Sequence, residues 1–376
     1  MRQVFTGADV FDGTVLHTRA ALVVEDGAVL AIVPQDEAPV GNTIHLAGGV
    51  LAPGLIDLQV NGGGGRMVDG TVDPAALAAI CAAHLRLGVT GLLPTLITDT
   101  PAATAQVIAA GIAAIGVPGF LGLHLEGPHL DPRRQGAHDP ALIRPMTEDD
   151  LNALCAAAKA LPSLMVTVAP AAVTPGQIAR LRSAGAVVSL GHSDATLAEA
   201  QAAIDAGANC ATHLFNAMSQ LGNREPGLVG ALLGGTIPAG LIADGIHVAA
   251  QTLRVALAAR PMGLFLVSDA MSVAGTDLTE FHLGGRRILR RAGRLTLDDG
   301  TLAGADLSLP QAIGVMVQRV GLAPQRALAM ATSIPALVIG MQHRVGHLVP
   351  GRVADMVHLD AQWQLAQVWQ AGHPLL

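Results

Sequence analysis

Short apolar runs alternate with Ala- and Leu-rich stretches of helical length all the way from Leu55 to Asp269. The runs Leu55–Val60, Gly91–Leu96, Phe120–Glu126, Leu164–Ala169, Val187–Gly191, Cys210–Leu214, Gly240–Ala243 and Leu264–Asp269 are predicted strands. Between them, Pro74–Leu87, Thr147–Ala160 and Thr196–Ala206 are among the predicted helices. This strand–helix order demands parallel pairing, and eight repeats fit a closed (β/α)8 TIM-like barrel. An open doubly wound sheet is the other α/β solution. It gathers its site beside a Gly-rich phosphate loop. Gly62–Gly65 follows a strand, but four consecutive glycines are not the dinucleotide fingerprint, and no acidic residue follows in the right strand context.

The two ends of the chain break this rhythm. Ala21-Leu-Val-Val24 and Ala28–Val33 flank Asp26-Gly27, a hairpin signal. Val353–Leu359 and Trp363–Trp369 are again short and β-like. Residues 1–50 and 345–376 are therefore expected to form one discontinuous small β-sandwich domain, with the barrel at 51–344 inserted between them.

Four residues of ligand or acid–base type close predicted strands: Glu126, His192, His213 and Asp269. In a barrel those ends share one face, where active sites lie. Two imidazoles and a carboxylate suit a divalent first-row ion and leave a position open for water. Asp269 is the candidate for moving the water's proton, with a fourth ligand or a hydrogen-bond partner of a histidine as the alternative. His138, Arg224 and His247 lie in loops beyond strands and could hold an anion. His84, in mid-helix, and His124, in a strand interior, read as structural; for Arg224 the plainer alternative is an ion pair with Glu225.

Bulk properties narrow the partners. Aromatic residues are 2% with no Tyr, which disfavours base stacking, and a net charge of −7 disfavours nucleic acid and anionic membranes. Thr100–Leu123 and Pro226–Ala243 lack charge but are broken by Gly and Pro, so they read as buried α/β pieces rather than spans. The three cysteines lack C-x-x-C spacing, so neither a disulfide framework nor a cysteine zinc site is expected. The N-terminus has no uninterrupted apolar core of a secretory signal, and a cytoplasmic location is expected.

Several segments together resemble the N-acetylglucosamine-6-phosphate deacetylases of the amidohydrolase superfamily. They include Pro53-Gly-Leu-Ile-Asp57, His124-Leu-Glu-Gly-Pro128, Gly191-His-Ser-Asp-Ala-Thr196, Ala211-Thr-His-Leu-Phe-Asn-Ala-Met218, Arg224-Glu-Pro-Gly227, Ile242-Ala-Asp-Gly-Ile-His247 and Leu266-Val-Ser-Asp-Ala270. The resemblance continues through Gly304-Ala-Asp-Leu-Ser308 to Gly346–Asp355 and so covers essentially the whole chain. It implies that Glu126, His192 and His213 hold one divalent metal, zinc foremost, with iron, manganese or cobalt as alternatives. Asp269 would then activate water and protonate the amine, and His138 would polarise the acetamide carbonyl. Gln59, Ala137, Asn216, Ala217 and Leu307 would contact the small amino-sugar phosphate. Arg224 and His247 would hold its 6-phosphate, Arg224 reaching across a homodimer interface.

Where many amidohydrolases carry His-x-His for a second metal, this chain has Gln59-Val-Asn61. Amides are poorer ligands there, so a single-metal site is expected. The only lysine, Lys159, is on a predicted helix, so no lysine can bridge two metals from the fourth strand. A deacetylase for the N-acetylgalactosamine epimer and a non-catalytic binding barrel are the alternatives.

Overall fold

A computed structural model describes residues 1–375, so the last residue of the expected small domain, Leu376, lies outside the described residues. Eight parallel strands form the central sheet in chain order. They are β1 (Leu55–Val60), β2 (Val89–Ile97), β3 (Leu123–Glu126), β4 (Leu164–Val168), β5 (Val187–Leu190), β6 (Cys210–Ala211), β7 (Ala239–Leu241) and β8 (Leu264–Leu266). β1, β3, β4 and β5 are buried along their whole length, which is why they read as continuous rather than alternating apolar runs. Several observed strands are shorter than the predicted ones: the chain leaves the ladder beyond Ala211, Leu241 and Leu266.

The intervening helices start where side chains can cap them. Asp73 and Thr100 cap α1 (Pro74–Leu85) and α2 (Pro101–Ala113), each with proline in the first turn. Thr147, Thr174 and Thr196 form reciprocal capping boxes at α3 (Glu148–Ala160), α4 (Pro175–Ser183) and α5 (Leu197–Asp205). These caps fix where each helix leaves its βα loop.

The barrel closes between β1 and the end of β8 through a narrow seam. Val60 bridges Ala270, the Asn61 amide donates to the Ala270 carbonyl at 2.8 Å, and the Asp269 amide donates to Gln59 at 3.1 Å. Asp57, fully buried, accepts the amides of Gln59 at 3.1 Å and Ser268 at 3.2 Å. Inside the barrel, His124 accepts or donates to Thr167 Oγ1 at 2.7 Å and faces the Leu58 carbonyl at 3.1 Å; Thr167, Thr212 and Ser189 continue the chain at 2.6 Å steps. Burial pushes the His124 imidazole down to about 4, so it is a neutral structural group. His84 is likewise structural, bonded to the Gly62 carbonyl at 2.8 Å.

Both chain ends build a pair of sheets. One orders strands 28–34, 20–25, 2–6 and 42–45; the other orders 373–374, 365–370, 356–359, 50–53, 9–11 and 16–17. Val50–Pro53 pairs antiparallel with Met356–Leu359, joining the two ends directly. Their shared core includes Leu22, Leu51, Met356 and an edge-on Phe5–Trp369 contact at 5.3 Å. Asp26 and Gly27 form the expected hairpin turn, both at positive φ.

One element departs from the sequence reading. After β8 the chain makes a four-stranded antiparallel meander, Glu280–Leu283, Arg286–Arg291, Arg294–Thr296 and Leu302–Ala305. Phe281, Leu283, Ile288, Leu295 and Ala303 pack beneath it against Met271 and Val273, with Ile97 and Ala137 at the margin. Its apolar positions alternate with arginines, and that charge density hid the period of two. No helix among the described residues is long and apolar enough to cross a membrane, and the two uncharged stretches fall into helix, loop and strand.

Burial pushes the Asp57 carboxyl up to about 7, against the hydrogen bonds that favour its ionised form. The folded protein therefore keeps a proton that the unfolded chain has released, and stability from this group falls as pH rises from 3.8 towards about 7. Urea unfolding at pH 5 and pH 7 should show that fall in the parent and a flatter dependence in Asp57→Asn. Identical pH slopes would show that Asp57 carries no such linkage.

Candidate active site

The candidate side chains are aimed by an unusual backbone. His192, His213 and Asp269 have φ of 45°, 29° and 51°, and Ala217 has 50°. Left-handed residues other than glycine cost roughly 1–3 kcal/mol each and persist where surrounding bonds over-determine them. Here the His192 carbonyl accepts the Asp131 amide at 2.9 Å, the amides flanking His213 bond Leu190 and Gly240, and Asp269 is held by the seam. The turn ends the ladder and swings each side chain over the barrel mouth.

Glu126 Oε1 lies 3.2 Å from His192 Nε2 and 3.0 Å from His213 Nε2, and the two imidazole nitrogens are 3.1 Å apart. All three groups are buried, with one ligand atom from each within 4.8 Å of the others. This donor set fits a divalent ion. Burial opposes ionisation of Glu126, but the imidazoles of His192 and His213 against it hold it well below the usual carboxylate range. His192 Nδ1 faces the Arg134 carbonyl at 2.9 Å, which puts a proton there and leaves Nε2 as a lone-pair donor towards the cluster. Gln59 Nε2 donates to Glu126 Oε1 at 3.1 Å and steadies the carboxylate from below.

His138 has the opposite arrangement. The Thr98 backbone amide donates to His138 Nδ1 at 3.2 Å, and Thr98 Oγ1 lies 2.8 Å away. Burial, followed by the nearby His192, holds this imidazole well below its ordinary value, so it is neutral. With Nδ1 accepting, the proton is on Nε2, which lies 3.8 Å from Glu126 Oε2 and can donate to a bound carbonyl. Asp269 accepts from Asn61 Nδ2 at 2.7 Å; burial, with Glu126 adding to it, pushes the carboxyl up to about 6. His247 Nδ1 is 2.6 Å from Asp244 Oδ2, and Asp244 also accepts the amides of Ile246 and His247.

One cavity of about 250 Å³ brings together Glu126, Ala137, His138, His192, His213, Asn216, Ala217, His247 and Asp269. Three expected contacts do not line it. Gln59 lies beneath Glu126; Leu307 lines a separate hollow with Asp306 and Ser308; Arg224 sits exposed beyond β6. Arg224 forms no ion pair with Glu225, whose carboxylate instead accepts the amides of Leu197 at 2.7 Å and Gly227 at 3.0 Å. Sequence reading missed Thr98, Asp244 and the cavity wall formed by Thr301, Leu302 and Gly304. Asp244 was detectable, three residues before His247 in a motif already singled out. Thr98 had no local signal.

Over residues 50–373 the sequence matches the amidohydrolase family. The chain belongs to that family. It is 38% identical to an N-acetylgalactosamine-6-phosphate deacetylase of Shewanella sp. (strain ANA-3), covering 98% of this chain and 95% of the relative. It is 33% identical to an N-acetylglucosamine-6-phosphate deacetylase of Haemophilus influenzae, covering 92% of each. The crystal structure of N-acetylglucosamine-6-phosphate deacetylase from Pasteurella multocida superposes with a TM-score of 0.95 at 32% identity over the full length of both chains. Amidohydrolases are metal-dependent, which agrees with the buried Glu126–His192–His213 group.

Separating ligand from base gives a direct test. Asp269→Asn should retain metal while turnover falls ~10²–10⁴-fold, the usual worth of a general acid–base group. His213→Ala should lose metal as well as turnover. Elemental analysis beside steady-state rates checks both, and near-normal turnover in Asp269→Asn would assign the base elsewhere.

Proposed function

We propose that this amidohydrolase removes the acetyl group from N-acetyl-D-glucosamine 6-phosphate, giving D-glucosamine 6-phosphate and acetate. The observation that carries this reading is the meeting, in one cavity, of a buried Glu126–His192–His213 group, Asp269 and the Nε2–H of His138. Glu126, His192 and His213 hold a single divalent ion, zinc foremost; bound there, it supplies Lewis acidity and a more acidic water. Asp269 takes the proton from the attacking water. His138 Nε2–H donates to the acetamide oxygen as negative charge grows there. Asp269 then delivers its proton to the sugar nitrogen as the C–N bond breaks, so one carboxylate serves both halves of the reaction. Asn61 keeps that carboxylate oriented.

In this reading Ala137, Asn216 and Ala217, which line the cavity, take the sugar, and His247, backed by Asp244, takes the phosphate. Gln59 acts through Glu126, and of the segment that carries Leu307 it is Gly304 that borders the substrate. Residues 1–50 and 345–376 act as a unit apart from the 51–344 barrel. The proposed location is the cytoplasm, a reading supported by the fact that a phosphorylated sugar does not cross membranes unaided.

The 38% identity to an N-acetylgalactosamine-6-phosphate deacetylase favours a second reading, the axial epimer at C4. Acetate release should be measured on both N-acetylhexosamine 6-phosphates and on both unphosphorylated sugars. We expect turnover of at least one phosphorylated epimer with a strong preference over its plain sugar. Hydrolysis of none of the four would sink the reading.

Exposure of Arg224 away from its own chain's cavity supports a role across a homodimer interface. Loss of one charged hydrogen bond costs ~1.5–3 kcal/mol, so Arg224→Ala should lower kcat/KM on the phosphorylated sugar by roughly 10–150-fold. Mixing Arg224→Ala with Asp269→Asn subunits should regain a fraction of activity. No recovery after verified subunit exchange would exclude the shared site.

A further inference from the structure

We propose that the arginine-bearing tip of the meander, Arg291 and Arg294, supplies a second cationic contact for the 6-phosphate from within the same chain. The inference rests on the phosphorylated-sugar reading above.

Successive side chains of a strand point to opposite faces, and directly opposed residues of an antiparallel pair share a face. Leu302 lines the cavity and is paired with Thr296. Thr296 in turn opposes Leu289, and Arg294 opposes Arg291 across the tip. Two residues from Thr296 and Leu289, Arg294 and Arg291 therefore lie on the face that carries Leu302, a bulge on the last strand bringing Ala305 opposite Arg294, whereas Ile288, Leu295 and Ala303 pack into the apolar layer on the other. The tip also sits against the correct part of the rim. A Cβ built on Gly293, between the two arginines, would lie 3.8 Å from Ile246 Cδ1. Ile246 precedes His247, which lines the cavity and is held by Asp244.

The neighbouring charges leave these two free. Arg286 donates to the Ala137 carbonyl, Arg287 pairs with Glu280, and Arg290 pairs with Asp306 at 2.9 Å. Among the described residues Arg291 and Arg294 form no ion pair, and both are exposed. Asp298 and Asp299 follow on the next turn, where Asp299 is occupied by the Thr301 amide at 2.9 Å. A chain with net charge −7 repels a phosphate dianion, so unpaired arginines on a tip that meets Ile246, the neighbour of His247, have a clear electrostatic use.

The test is Arg291→Ala/Arg294→Ala, with Arg291→Lys/Arg294→Lys as the charge-keeping control. Kinetics are measured on the phosphorylated and the plain N-acetylhexosamine at low and high ionic strength. The alanine pair should lose about 5–30-fold in kcat/KM on the phosphorylated sugar, mostly through KM, because exposed contacts are partly screened. Its salt dependence should flatten, its rate on the plain sugar should stay within about twofold, and the lysine pair should recover most of the loss. Equal losses on both sugars would make the tip merely structural. Unchanged phosphate preference in the alanine pair would overturn this contact alone. Absence of that preference in the parent enzyme would overturn the functional reading itself and this contact with it.

Discussion

The seam between β1 and β8 is the constraint on which the mouth of the barrel depends. Closure rests on the Val60–Ala270 bridge and three amides that cross it, those of Asn61, Asp269 and Ser268, the last accepted by the buried Asp57. Gln59, Asn61 and Asp269 all issue from this join. The same backbone bonds that shut the barrel thus set Gln59 under Glu126 and Asn61 against Asp269. A small opening of the seam would separate Asp269 from the Glu126–His192–His213 group, so barrel closure and the geometry of the candidate site are one structural event.

Around that seam, hydrogen-bond polarity rather than residue type assigns the histidines their work. A carbonyl at His192 Nδ1 makes Nε2 an electron-pair donor; an amide N–H at His138 Nδ1 makes Nε2 a proton donor. The two rings stand 4.2 Å apart between centroids, yet their reactive nitrogens have opposite character. The Arg134 carbonyl that decides the first is itself steadied, since the Arg134 guanidinium pairs with Asp194 at 2.7 Å. Loops beyond β3 and β5 are tied together by that pair.

Much of this was legible in the sequence because strand order fixes which residues share a rim. Glu126 ends its strand and His192, His213 and Asp269 follow theirs by two or three residues, and parallel order brings those ends to one mouth without further information. The hairpin at Asp26-Gly27 was equally local. What escaped is what depends on tertiary approach. Thr98 acts through a backbone amide, which no side-chain pattern encodes. The meander was concealed by its arginines, whose charges overwhelm a modest apolar alternation. Leu307 sits in a motif segment yet turns into a neighbouring hollow, because the chain between Gly304 and Ser308 passes from cavity wall to helix start.

The left-handed backbone at His192, His213 and Asp269 has an evolutionary consequence. That conformation is tolerated by glycine and by short polar residues such as Asn, Asp and His, and it is strongly disfavoured for β-branched or bulky ones. Within that restricted alphabet, His and Asp are themselves metal ligands or proton carriers. Most substitutions at these positions therefore meet a folding penalty before any loss of rate is felt. The backbone filters which residues can occupy the rim, and what passes the filter is largely chemistry-bearing. Descendants of such a barrel can exchange one ligand or base for another far more readily than they can abandon the site.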